Sequence, residues 1–530
     1  MNESIVRVSQ VFFGWKLVLL SLLYAVPRQY DTSTHLFLTG CDANASWFWR
    51  VLAHGIEKLV IWDSVFYANG AERGLIYEHE WAFGRGWSLL IGILTPKSLT
   101  EWDESPLKST YYYGLTGIIL AIASHYLATI VLYYLTKLVF SRRRDVERYA
   151  CVVATLYALS PAGMFLIAGY AEAPFALASF IGLYLRHNQY YVFSGMFFAF
   201  SCALRGNGVL WGLLFLYDLA NLSIALLENI TGMTIPFVSK NKESEELFFS
   251  RKEPKGEALR GSNEQNGVEA SENGNQGSSF SRTEPKGEAL RGSNEQSEPE
   301  IREADPGGLG ASPQKTVPTN EQSGFIPQKA AKRTRVFNLR ELGQGGSESR
   351  DTCLQQKEPR AIVFQMVRVI AGGTLIGLMV IGLQLYPYLL FCPGRPWCEK
   401  TIPSIFGYVQ SEYWNVGFMR YWTPNNIPNF LFGGPTLYLL YRSLVYYRHE
   451  RVLRPVLLVQ LVVLVTALLV YHVQIITRIA TCLPAMYWYV GSLLTSTNLT
   501  QVKMGKRVVN YFILWTMAHA ILFGAFLPPA

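Results

Sequence analysis

The sequence predicts an all-α polytopic membrane protein with about 8–11 transmembrane helices, each needing about 20 apolar residues to cross a bilayer core. Half of the 530 residues are apolar and only 16% are charged, against roughly 25% in an ordinary soluble chain. Mean hydropathy is +0.16, although the segment from Ser239 to Glu358 is poor in aromatic and branched apolar residues. The remainder is therefore much more apolar than the average. The basic residues behind the net charge of +8 sit in short clusters between apolar stretches, as the positive-inside rule arranges them. A disordered chain, a collagen, a small disulfide scaffold and an ordinary soluble enzyme are all excluded.

The first apolar stretch, Val11 to Val26, lacks a basic leader and a small-residue cleavage signal, so it reads as an uncleaved span. Tyr111 to Phe140 follows and ends in the basic loop Arg142 to Arg148. Tyr149 to Leu185 is too long for one helix. Breaks are expected at Ser160 to Gly163 and at Ala173-Pro174, because proline removes a backbone donor and such breaks survive at membrane depth only under protein or water cover. Tyr190 to Leu227 is similarly interrupted at Arg205-Gly206-Asn207-Gly208. Further spans are expected at Val367 to Phe391, Asn429 to Tyr447, Pro455 to Tyr471, Ile479 to Leu494 and Val508 to Leu527. The clusters Arg142 to Arg144, Arg448 to Arg454 and Lys503 to Arg507 then mark the cytosolic side. The loops Pro27 to Thr110, Tyr386 to Pro428 and His472 to Arg478 share the other side, and they hold most of the Trp, Tyr, Asp, Glu, Arg and Asn.

This reading gives an N-terminal transmembrane module over residues 1–238, an insertion over 239–358 and a C-terminal transmembrane module over 359–530. The insertion carries EPKGEALRGSNEQ twice, from Glu253 to Gln265 and from Glu284 to Gln296. Two copies with no apolar core do not make a solenoid, and the composition predicts a disordered cytosolic loop. No basic stripe is interleaved with stacking aromatics, so no nucleic-acid partner is expected. The seven cysteines are scattered, except Cys392 and Cys398 in CPGRPWC, which form either a lumenal disulfide or two free thiols. Of the glycosylation patterns at Asn2, Asn44, Asn221, Asn229 and Asn498, only Asn44 falls in a loop assigned to the lumen.

The densest chemistry lies just beyond the first span: Trp62-Asp63-Ser64, then Ala71 to Gly74, then Tyr77 to Phe83. An enzyme that takes a sugar from a lipid carrier needs a carboxylate at the bilayer surface to accept the proton of the attacking hydroxyl. Asp63 suits that role, although by residue type alone a helix N-cap is the commoner use of such an aspartate. Glu78 and Glu80 flank a histidine, but the spacing matches no standard metal site, and solvated carboxylates are the plainer reading.

Six blocks resemble the PIG-V family of mannosyltransferases. They are Trp62-Asp63, GAERGLIYEHEWAF (Gly70 to Phe83), SPAGMFLIAGYAEAPFAL (Ser160 to Leu177), LRGNG (Leu204 to Gly208), QSEYWNVGFMRYWTPNNIPNFLFGGP (Gln410 to Pro435) and HVQIITR (His472 to Arg478). They keep the family's order and cover most of the chain outside the insertion. Gly84-Arg85-Gly86 departs from the Phe-Pro-Gly type of sequence usual there.

The resemblance implies a GT-C type glycosyltransferase of the endoplasmic reticulum with its active site in the lumen. It would transfer the second mannose, in α1,6 linkage, from dolichyl-phosphate-mannose to a GPI-anchor precursor. A β-linked donor and an α product imply one inverting displacement, which needs a base and stabilisation of the departing phosphate. Asp63 is the expected base. Guanidinium matches phosphate bidentately, so Arg205, Arg420 and Arg478 are the candidate phosphate ligands, with snorkelling to headgroups as the alternative. Glu172, a further candidate substrate-binding residue, either orients the acceptor or, as the favoured reading, pairs with one of these arginines.

Trp62, Asn207 and Gln474, with Asn426 and Asn429, complete the candidate substrate contacts. Tyr413, Trp414 and Trp422 are candidates for sugar stacking, although interfacial aromatic belts are commoner. No cofactor is expected, and without a DxD-like pair the transfer is expected to be metal-independent. The expected partners are the lipid-linked donor, the GPI glycolipid acceptor, the membrane and a small accessory membrane subunit. The competing readings are another dolichyl-phosphate-mannose transferase step, a lipid or sugar transporter, and a non-catalytic assembly subunit. Transporters often repeat their membrane halves, and no such self-similarity is found.

Overall fold

A computed structural model describes residues 3–27, 29, 38, 41–42, 44–232 and 359–527. The insertion predicted at 239–358 lies outside the described residues. Among those residues there is no strand, and six helices are long and apolar enough to cross a membrane. The architecture is that of an all-α polytopic membrane protein.

The helices used below are α1 (Glu3–Ala25), α2 (Trp47–Leu59), α3 (Asp63–Arg73), α4 (Arg85–Leu94), α5 (Ser109–Val139), α6 (Val146–Ala158), α7 (Glu172–His187), α8 (Tyr191–Leu204), α9 (Gly212–Thr231), α10 (Pro359–Phe391), α11 (Ile405–Glu412), α12 (Ile427–Tyr447), α13 (Arg454–Leu469), α14 (Pro484–Leu494) and α15 (Leu499–Gly524). The long apolar α1, α5, α10 and α15 match predicted spans. Two expected boundaries are corrected. Pro174 does not break a helix, because it is the third residue of α7, where the missing N–H has no intrahelical partner to lose. The interruption falls earlier, between Ala158 and Glu172. The span expected from Ile479 to Leu494 is also cut, since the chain turns at Leu483 and only Pro484–Leu494 is a continuous helix.

Three helix pairs therefore meet at interruptions: α6 with α7, α8 with α9, and α13 with α14. Each interruption contains short 3-10 turns, at Gly163–Leu166, Gly206–Trp211 and Val473–Ile475. Backbone groups freed in this way need other partners. Trp87 Nε1 of α4 donates to Gly169 O at 2.7 Å, and Tyr170 OH donates to Ile61 O at 3.1 Å. Gly84 and Gly86 let the start of α4 lie against the end of α8: a Cβ at Gly84 would stand 2.4 Å from Leu204 O, and one at Gly86 2.7 Å from Ala203 O. The Gly-Arg-Gly departure thus sets the approach of α4 to the residue just before Arg205. Arg85 itself lies over the ring of Tyr386, 4.3 Å from its centroid.

At the opposite end of the helices other arginines tie neighbouring elements together. Arg143 pairs with Asp145 and reaches Thr495 Oγ1 at 2.7 Å. Arg186 bonds both oxygens of Asp218, and Arg368 donates to Gln189 O at 2.6 Å.

Candidate active site

Asp63 is the first residue of α3, and the N-cap position belongs to Trp62. Its carboxylate makes no capping bond, so the N-cap reading fails. Instead Asp63 Oδ2 accepts from Arg478 Nη2 at 2.5 Å. Trp62 sets the turn, with φ +52° and ψ −122°. A bulky residue is rarely found there, and such strain gathers at functional sites. Its ring packs edge-on against Phe523 and Phe526, with centroids 5.2 and 5.3 Å away. Ser64 Oγ closes the same turn on Ile61 O at 2.8 Å.

Arg478 comes from the short helix Ile476–Ile479, between α13 and α14. Its Nε donates to Glu172 Oε1 at 2.5 Å, and Arg205 Nη1 donates to the same oxygen at 2.5 Å. The result is a continuous chain, Asp63–Arg478–Glu172–Arg205, drawn from α3 and all three helix interruptions. Two carboxylates balance two guanidinium groups. Glu172 is wholly buried, whereas Asp63, Arg478 and Arg205 keep 24%, 14% and 17% of their side chains exposed. Solvent therefore reaches every member of the chain except Glu172. The guanidinium of Arg478 also lies over Phe165 and Tyr170, 4.6 and 5.1 Å from their centroids. Burial opposes its charge, but the Asp63 and Glu172 carboxylates outweigh burial and hold it firmly protonated.

Other sequence candidates divide clearly. Asn207 is half-buried beside Arg205, within the turn Gly206–Trp211. Gln474 lies in the turn before Arg478, and its buried Oε1 has no hydrogen-bond partner among the described residues. Arg420 is exposed, and no ion pair ties it to the cluster among the described residues. Asn426 and Asn429 are used internally: Asn426 Nδ2 donates to Tyr421 O at 2.9 Å and Asn429 Nδ2 to Tyr421 OH at 2.6 Å. They brace the loop after α11.

The same loop is pinned over the α13–α14 connection by Met419 N to Leu469 O (2.7 Å), Trp422 Nε1 to Leu468 O (2.7 Å) and a bond between His472 and Trp414 O (2.8 Å). Burial keeps the His472 imidazole below its usual range despite that bond.

Glu78 and Glu80 are neither metal ligands nor solvated. Trp397 Nε1 donates to Glu78 Oε1 at 2.9 Å, while Glu80 accepts from Arg73 and from the N–H groups of Ile76 and Tyr77. Burial pushes the Glu80 carboxyl up, but these donors outweigh it and hold the group below the ordinary glutamate range. Trp397 lies in a loop closed by a Cys392–Cys398 disulfide, with Cα atoms 5.8 Å apart. No group of three or more His, Cys, Asp or Glu gathers as a metal site among the described residues. A cavity of about 240 Å³ lies at the opposite end, lined by residues that include Arg186, Gln189, Tyr217 and Arg451, and shares no residue with the charged chain.

Sequence reasoning missed the aromatic residues of the site. Phe165 and Tyr170 sit in an apolar run that reads as core. Tyr67 lies four residues beyond Asp63, a spacing that puts both on one helix face and that was available as a signal.

A carboxylate and two partly open arginines are thus gathered where the helices of a polytopic membrane protein are interrupted. The family described as Mannosyltransferase (PIG-V) matches residues 5–229, 350–461 and 452–530. The chain belongs to this mannosyltransferase family. It is similar to "GPI mannosyltransferase 2" of Yarrowia lipolytica, with 32% identity across 98% of each chain. Proteins of the same name from Chaetomium globosum and Gibberella zeae are 28% and 25% identical, across 98% and 100% of this chain and 95% and 98% of their own. No solved structure matches the chain.

Proposed function

We propose that this protein transfers the second mannose, in α1,6 linkage, from dolichyl-phosphate-mannose to the GPI-anchor precursor on the lumenal side of the endoplasmic reticulum. The observation that carries the proposal is the chain Asp63–Arg478–Glu172–Arg205. In this reading Asp63 accepts the proton of the acceptor's 6-hydroxyl through Oδ1, which has no hydrogen bond among the described residues. Arg478 orients the carboxylate through Oδ2. Arg205 commits one bond to Glu172, and its remaining donors meet the phosphate as it leaves. Glu172 touches no substrate; it fixes the spacing of the two arginines. A single displacement inverts the anomeric centre, and arginine supplies the cations, so transfer continues in chelator.

The disulfide loop supports the lumenal assignment, because disulfides persist in oxidising compartments and this one packs on Glu78 beside the site. The full-length similarity to proteins named GPI mannosyltransferase 2 supports the choice of step. The test is the profile of GPI intermediates in cells lacking the protein. A one-mannose species should accumulate, and wild-type protein but not Asp63→Asn should clear it. A normal profile refutes the assignment.

A further inference from the structure

Tyr67 lies on α3 one turn beyond Asp63, and residues four apart on a helix have Cβ atoms about 5–6 Å apart on one face. Its side chain is 2% exposed, and its ring is held edge-on against Phe83, 6.1 Å between centroids. The phenol lies in the field of every charged group of the site, with Arg205 the strongest influence among them, then Glu172, Asp63 and Arg478. Burial pushes its proton affinity up, so the group stays a neutral O–H donor. Yet among the described residues the hydroxyl makes no hydrogen bond. Tyr170, the other buried tyrosine of the site, differs, since its hydroxyl is already committed to Ile61 O. The Phe83 ring that Tyr67 touches immediately precedes Gly84, which lies against Leu204 O one residue before Arg205, and Arg205 has donors that its bond to Glu172 leaves unused.

We infer that Tyr67 donates a hydrogen bond to the phosphate of the lipid-linked sugar donor, beside Arg205. The inference rests on the transferase reading above. In the displacement the bond from C1 to the phosphate oxygen breaks and its electron pair leaves on the phosphate. The acceptor oxygen bonds to C1, and its proton passes to Asp63. Tyr67 keeps its own proton and stabilises the charge gathering on the phosphate, as a donor aimed at developing charge does.

The test uses the full-length protein with dolichyl-phosphate-mannose, a one-mannose acceptor, and dolichyl phosphate as a product inhibitor. Tyr67→Phe should raise the inhibition constant of dolichyl phosphate and lower kcat by about tenfold each, the scale of one hydrogen bond to a charged group, while the acceptor KM stays within about twofold. Unchanged values, or a change confined to the acceptor KM, overturn the inference. Tyr67→His returns an N–H donor and should recover dolichyl-phosphate inhibition toward wild type, whatever the phenylalanine variant does to protein level. A histidine variant as weakly inhibited as the phenylalanine one also overturns it. Wild-type protein inert with dolichyl-phosphate-mannose would instead sink the transferase reading itself.

Discussion

The two ends of the helix bundle both hold half-buried arginines, and they use them differently. At one end Arg143 and Arg186 each meet a single nearby carboxylate, Asp145 or Asp218, which leaves each charge matched one to one. At the other end Glu172 is shared by Arg205 and Arg478, and Arg478 is shared by Glu172 and Asp63. A matched pair closes a structure. A shared chain leaves donors and acceptors at its ends, and those ends are the partly exposed ones. The contrast shows that an arginine near a membrane edge becomes a functional candidate through the groups that share it, since position and residue type are alike at both ends.

The largest expected effect follows from removing the proton acceptor. Asp63→Asn should lower the transfer rate by about 10²- to 10⁴-fold with protein level near wild type, as read by mannose transfer in microsomes. A small drop in rate with a large loss of protein would return Asp63 to a structural role. Glu172→Gln removes the charge that both arginines share, and breaking a buried pair costs about 3–5 kcal/mol. Thermal unfolding in detergent should register that loss together with a loss of activity. Asp218→Asn sharpens the contrast from the other end. It should cost about 1–3 kcal/mol by stranding Arg186, yet leave the rate per folded molecule unchanged; a fall in kcat would show that the two ends are coupled.

The smallest effect concerns the Glu80 brace. Its folded carboxyl titrates below the unfolded value of about 4.3, so its contribution is present above that pH and fades as the pH falls through the folded value. The difference in melting temperature between wild type and Glu80→Gln should therefore be constant near neutrality and shrink below about pH 4. A difference that persists there would remove the charge from the account.

Much of this was legible in the chain. Apolar runs of span length and basic clusters give the polytopic class, because bilayer thickness and leaflet charge act on composition alone. The interruptions at Ser160 to Gly163 and Arg205 to Gly208 were visible from proline, glycine and buried polar residues, and Asp63, Glu172, Arg205 and Arg478 were all among the candidates. Arg420, equal to them by residue type, stands exposed with no ion pair to the cluster among the described residues, while Asn426 and Asn429 bond within their own loop.

Sequence by itself determined the helical membrane class, two of the places where helices break and the residue types able to act on a phosphate-linked sugar, since these depend on local composition and period. Only the tertiary structure decided which arginine meets which carboxylate. Asp63 and Arg478 are 415 residues apart along the chain, and a charge pairs with whatever folding brings within hydrogen-bond reach.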